Sequence, residues 1–399
     1  MFESTIYKAA YGCLVLVLGI TRFIIVPANL QMGLITASIL FIGAHQSLKL
    51  NETDAKSGKR ADGDRISQRD AVMFPVFGSI ALVSLYVCYK YVGKEYMNLL
   101  LTTYIMLAGV AAVANFIEPF FTKIVPGSWI PKNHLIHFNI PSLLRKLADG
   151  QSEFRLHFSK GDVITHLIGM GLAVHFLQTK DFTVHNLFGI AFSIQAIKLI
   201  SLGQFTNAII LLSGLFVYDV WWVFGAAQFG HNVMVSVALN LEAPAKIIFP
   251  QSFDPWKQGI LGLGDIVIPG IFVALCLRFD YFIHCKSLNQ PHHRPNVEIF
   301  SAFPRVYFYT VGVGYLLGLV ATAVAMHLMN AAQPALLYLV PGTLIPVFLV
   351  AFIRGHVKEM MQYSEDDKKD EDKEEDARHP VAEERNRKRG GSVENRKTK

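Results

Sequence analysis

Nine apolar runs of about 20 residues, separated by short blocks that hold most of the charge, constrain this chain more than any other feature. A helix of that length crosses about 30 Å of hydrocarbon. In lipid each backbone N–H and C=O needs a partner inside the protein, which intrahelical bonds supply. Composition agrees: 52% of the 399 residues are hydrophobic and only 17% are charged. Length alone would allow two or three soluble domains, and these runs exclude them. The expected fold class is an all-α polytopic membrane protein, a nine-span helical bundle.

The spans are expected at 30–48, 72–92, 97–121, 163–177, 185–202, 205–227, 259–282, 305–329 and 333–353. Another apolar run at 9–26 reads equally as a signal peptide, with Val26-Pro27-Ala28 as a small-residue cleavage site, or as a tenth span. Either way the segment that follows starts on the far side of the membrane. Loops 49–69 and 123–160 each hold six Lys or Arg, and 278–305 and the tail after 354 are also basic. The alternate loops, 93–96, 180–184, 229–258 and 330–332, are poor in them, so the positive-inside rule places the first set and the C-terminus in the cytosol. The sequon at Asn51 then falls in a cytosolic loop and stays unmodified. The chain divides into an N-terminal hydrophobic segment (1–29), spans 1–5 (30–203), spans 6–9 (204–354) and a charged tail (355–399) expected to be disordered. In the longest internal loop, 136–147 reads as an interfacial helix and 153–158 (EFRLHF) as a short strand. The net charge of +6 lies in loops and gives no case for nucleic acid, and the four cysteines form neither a metal pattern nor a disulfide framework.

Two neighbouring runs carry the chemistry. FTNAIILLSGLFVYDVWWVFGAA (205–227) holds Asp219 behind Tyr218, and GILGLGDIVIPGIFVALCLRFDYF (259–282) holds Asp265 behind Gly262, Leu263 and Gly264. A charge inside a bilayer costs several kcal/mol at least, so an intramembrane carboxylate is a functional signal by default. The spans run in opposite directions, with Asp219 about eight residues before the lumenal end of one and Asp265 about six after the lumenal start of the other. Both then lie on the order of 10 Å below the same surface, within reach of each other across packed helices. Two carboxylates sharing a site cannot both ionise cheaply, so the pair holds one proton. That state suits peptide hydrolysis, one group taking a proton from water while the other polarises the scissile carbonyl.

Gly262 and Gly264 either admit an extended peptide close to Asp265 or only allow tight helix packing. Tyr218 is either a hydrogen-bond donor in the site or a packing residue. His166, His175, Lys198, His327 and Glu118 lie near span ends, where they snorkel to water. Paired carboxylates also occur in proton-coupled transporters and channels, and a scaffold that binds membrane spans is a third reading.

The strings GLFVYDVWWVFG, LGLGDIVIPGIFVALCLRFD and QPALLYLVPG, in that order on the last spans, resemble the presenilin-type GxGD intramembrane aspartic proteases, and within them the signal peptide peptidase branch. The resemblance covers about 31–364. It implies Asp219 and Asp265 as the catalytic pair, with Pro334, Ala335 and Leu336 shaping the site, and requires no metal or cofactor. It implies as partners the lipid bilayer and transmembrane peptide substrates, namely signal peptides and type II membrane proteins, and allows a homo-oligomer. It also implies multi-pass residence in the endoplasmic reticulum membrane, with which the basic end at Arg396, Lys397 and Lys399 agrees.

Overall fold

The computed structural model describes residues 2–57, 66–124, 134–139, 153–225, 237, 240–254, 256–288, 303–329 and 333–365. Helices account for most of them. In chain order these are α1 (Phe2–Ile20), α2 (Ala28–Ser57), α3 (Gln68–Tyr91), α4 (Lys94–Ile124), α5 (Lys160–Thr179), α6 (Phe182–Leu199), α7 (Phe205–Val220), α8 (Leu263–Ser287), α9 (Val306–Met329), α10 (Leu336–Arg354) and the short α11 (Val357–Gln362). Each expected span coincides with one of α2–α10. Among the described residues, seven helices are long and apolar enough to cross a membrane, those at α2, α3, α4, α7, α8, α9 and α10. The run at 9–26 is the C-terminal half of α1 and the turn after it. There Gln46 of α2 donates to the Tyr7 and Tyr11 hydroxyls, and the Tyr11 ring meets Phe116 and Phe120 of α4.

Local chemistry sets several helix starts. Ser67 and Asp70 form a reciprocal capping box at α3, as do Ser159 and Asp162 at α5, and Asp181 caps α6 through the Thr183 N–H. By contrast α7, α8 and α10 begin at Gln204, Gly262 and Ala335 with no side-chain cap.

The centre of the bundle is α2, which packs against α1, α6, α8 and α9. Glycines set the close approaches. A Cβ on Gly43 or Gly270 would press into the Ile197 side chain at 2.9 and 2.5 Å, so α2 and α8 both close on α6. The α9–α10 crossing is tighter still, because a Cβ on Gly314 would overlap the carbonyl oxygen of Gly342.

Among the described residues two hairpins interrupt the helices. β1 (His134–Asn139) pairs antiparallel with β2 (Glu153–Phe158), from His134↔Phe158 to Asn139↔Glu153. The strand expected at 153–158 is therefore present. The interfacial helix expected from 136 is not, since 136–139 is strand; 140–147 lies outside the described residues. The second hairpin, β3 (Lys246–Phe253) and β4 (Trp256–Gly262), occupies a stretch expected as loop and the start of a span. The span expected from 259 begins four residues later because 259–262 completes this pairing.

The tail expected to be disordered from residue 355 starts as α11, and its next residues are tied down. Tyr363 packs on Phe205, Phe279 and Phe282, Ser364 bridges to Gln204, and the Glu365 carboxylate accepts from Arg278 at 2.6 Å. The rest of the tail, with its basic end, lies outside the described residues.

Candidate active site

Asp219 occupies the last α-turn of α7. Immediately after it the backbone widens into a π-turn, Trp221–Gly225, a distortion often found at functional positions. The bulky pair Trp221-Trp222 needs this room. A Cβ on Gly225 would crowd the Trp221 ring at 2.9 Å, and the Trp222 indole donates to the Ser79 hydroxyl on α3 at 3.1 Å. This fixes the end of α7 against α3.

The Asp219 side chain is buried, at 3% exposure, and its Oδ2 accepts from the Leu336 N–H at 3.0 Å. Leu336 is the first residue of α10, whose opening N–H groups have no intrahelical acceptor. Ala335 at the cap position offers no side-chain oxygen, so a carboxylate from α7 supplies one, where the helix dipole favours negative charge. Pro334, buried, and Ala335 form the turn that aims this N–H, their carbonyls accepting from Leu337, Tyr338 and Leu339.

Asp265 is the third residue of α8, and β4 runs straight into that helix. Gly262 ends the strand and caps the helix with φ −65° and ψ 142°; Leu263 packs into the core, its N–H bonded to the Ala245 carbonyl. Gly264 is exposed. A Cβ on Gly262 would touch Asp265 Oδ2 at 3.4 Å, whereas one on Gly264 would meet only Ile268 at 4.0 Å. Gly262 thus keeps a side chain off the carboxylate on the hairpin side, whereas Gly264 faces open space. Asp265 is half-buried, and among the described residues no group donates to its carboxylate. Its charge interacts with that of Asp219, which lies at the same end of the bundle.

Tyr218 directly precedes Asp219 on α7, and the charge of Asp219 acts on its phenol. Its ring faces Gly78 of α3 and tilts against Trp222, with no hydrogen bond to its hydroxyl among the described residues. Of the secondary polar residues, His166 is exposed and bonded to the Asp162 carbonyl within its own helix.

Sequence reasoning missed three features here. One is the β3–β4 hairpin, for which the Ser252-Phe253-Asp254-Pro255 turn between two apolar runs was an available signal. Its β3 edge is held by α6, where the Asn186 amide exchanges bonds of 2.7 and 2.8 Å with the backbone of Ile248 and His185 contacts the Lys246 carbonyl. Partial burial at the base of this hairpin pushes the Lys246 ammonium below its usual pKa. The second is Tyr315 of α9, fully buried, whose hydroxyl donates to the backbone carbonyl of Asp265. The third is Asp280, a second buried carboxylate on α8.

A bundle of apolar helices with two carboxylates at one end of antiparallel spans defines a polytopic membrane protein with an intramembrane acid pair. A family profile described as "Signal peptide peptidase" matches residues 58–367. The chain is 38% identical over 340 residues to the signal peptide peptidase of Homo sapiens, covering 83% of this chain and 81% of that protein. It is 30% identical over 348 residues to a probable intramembrane protease of Schizosaccharomyces pombe, covering 86% and 98%. Intramembrane protease 2 of Caenorhabditis elegans is 35% identical over 288 residues, covering 67% of this chain and 59% of that protein. The chain belongs to the signal peptide peptidase family.

Proposed function

We propose that this protein is an intramembrane aspartyl protease of the GxGD type, hydrolysing signal peptides and other type II membrane segments with Asp219, Asp265 and water. The observation that supports the reading is that these two carboxylates, on antiparallel helices, interact electrostatically at one end of the bundle. One carboxylate takes a proton from the attacking water and the other, protonated, polarises the scissile carbonyl. The proton belongs to the pair, so neither residue holds a fixed role. The Leu336 N–H orients Asp219, and Asp265 faces the space left by the missing side chain of Gly262.

A peptide bond inside a helix hides its carbonyl, so the substrate must be extended where it is cut. β4 pairs with β3 along one edge and with no further strand among the described residues. It ends three residues before Asp265. An extended substrate segment laid along that edge would deliver its backbone to the pair by strand addition.

The basic loops orient the C-terminus to the cytosol, which matches type II substrates, and the reading places the protein in the endoplasmic reticulum membrane. The test is cleavage of a type II signal-peptide substrate by the purified protein, beside Asp265→Ala and beside wild type with an aspartic-protease transition-state inhibitor. Cleavage is expected to vanish in both. Retained cleavage in Asp265→Ala overturns the reading.

A further inference from the structure

Pro269 stands four residues after Asp265 inside α8. In an α-helix the carbonyl of residue i accepts from the N–H of residue i+4. Proline has no N–H, and its ring crowds that same carbonyl. The carbonyl deprived of its regular partner is therefore the one belonging to Asp265. The hydroxyl of Tyr315, from the neighbouring helix α9, donates to it at 3.2 Å.

Tyr315 is poised to do this with little freedom. Its side chain is fully buried, and the residues around it on α9 lie in the closest crossing of the bundle. There a Cβ on Gly318 would come within 2.9 Å of the Tyr338 carbonyl oxygen, and one on Gly314 would overlap that of Gly342. The α9 backbone is thus held against α10, which also presents the Leu336 N–H to Asp219. One helix pair thus touches both aspartates, through a backbone N–H to the Asp219 carboxylate and a phenol to the Asp265 backbone carbonyl.

We propose that Tyr315 is a positioning residue for Asp265: its hydroxyl replaces the helix bond that Pro269 removes, and so fixes the first turn of α8 and the direction of the Asp265 side chain. This inference rests on the assignment of Asp265 to the catalytic pair. The alternative is that Tyr315 only fills space, its hydroxyl taking whatever acceptor is near.

A double-mutant cycle in the full-length purified protein separates the two. Wild type, Tyr315→Phe, Pro269→Ala and the double variant are assayed for kcat and KM on a signal-peptide substrate and for thermal midpoint. Phenylalanine keeps the ring and removes only the donor, so kcat is expected to fall about three- to tenfold with KM unchanged, the size of one hydrogen bond. Alanine at 269 restores an N–H four residues after Asp265. In that background the same Tyr315→Phe change is expected to cost less than about twofold, because the restored N–H already satisfies the Asp265 carbonyl. Wild-type kcat in Tyr315→Phe, or an equal cost in both backgrounds, overturns the proposal. If Pro269→Ala is inactive on its own, the cycle is read in thermal midpoints, where additivity overturns it and non-additivity supports it. Asp265→Asn serves as the control for the underlying assignment. An active Asp265→Asn enzyme sinks that assignment, whereas an inactive one beside an equal Tyr315→Phe cost sinks the role of Tyr315 alone.

Discussion

Asp265 and Asp280 lie on the same helix, about four turns apart, and their surroundings are opposite. Asp280 is consumed by structure. Its two oxygens accept from the Tyr307 and Phe308 N–H groups at 3.0 and 2.8 Å, capping α9 from a neighbouring helix. Around it the end of the bundle is closed by further pairs. Arg278 binds Glu365, Ser47 and Ser201, and Arg305 meets His45, whose other ring nitrogen faces the Phe41 carbonyl. At the other end of α8, Asp265 has its backbone carbonyl held by Tyr315, while its carboxylate takes no donor among the described residues. Asp219 takes a single backbone N–H. The difference teaches that an intramembrane carboxylate signals chemistry only where its acceptor capacity is left unspent. A carboxylate whose oxygens already satisfy helix N–H groups holds helices together.

The strongest way to break this comparison is to neutralise each aspartate in turn. Asp219→Asn or Asp265→Asn should lower cleavage by roughly a thousandfold or more, the upper part of the range for losing an acid or base, with the folded state retained. Substantial turnover in either variant would remove the distinction altogether. At the closed end the larger stability effect belongs to Arg278→Ala, which leaves Glu365 buried without its main cation. It should cost about 3–5 kcal/mol, and adding Glu365→Ala should recover part of that. A double variant no more stable than Arg278→Ala would show that the tail anchor owes little to this pair. Asp280→Asn should cost about 1–3 kcal/mol by leaving a buried helix N–H without its acceptor. Its turnover per folded molecule should stay at the wild-type value, and a loss of turnover at unchanged thermal midpoint would contradict a purely structural Asp280. The smallest change is expected for Lys286→Ala. Its 2.7 Å pair with Glu359 is largely exposed, and such pairs contribute at most about 1 kcal/mol. Denaturation curves that separate Lys286→Ala from wild type by more than this would mean the closed end extends further than its buried residues.

Much of the architecture was legible before any coordinates. Helix positions followed from run lengths, and three starts carry Ser or Asp caps that sequence alone displays. The two carboxylates were found because charge is costly in an apolar run. Asp280 sits in the same run and escaped notice, as it lies near the end, where a charge is explained by proximity to water. Tyr315 escaped for a different reason: a tyrosine among apolar residues carries no signal until a partner is seen. The β3–β4 hairpin was missed because Gly259–Gly262 is apolar enough to be counted with the helix it precedes, and 229–258 reads as a single loop between two spans.

By itself the sequence determined that the protein is a bundle of apolar helices with an acid on each of two antiparallel neighbours, and with PAL opening the last helix. These are one-dimensional facts, set by run length, by the cost of buried charge and by backbone chemistry. Only the tertiary structure decided which acid is free and which is spent, that the Leu336 N–H meets Asp219, and that the carbonyl orphaned by Pro269 is met by a phenol from another helix. Such pairings depend on how deep and how close helices pack, and glycine crossings such as Gly314 on Gly342 set that distance in space, between residues far apart in the chain.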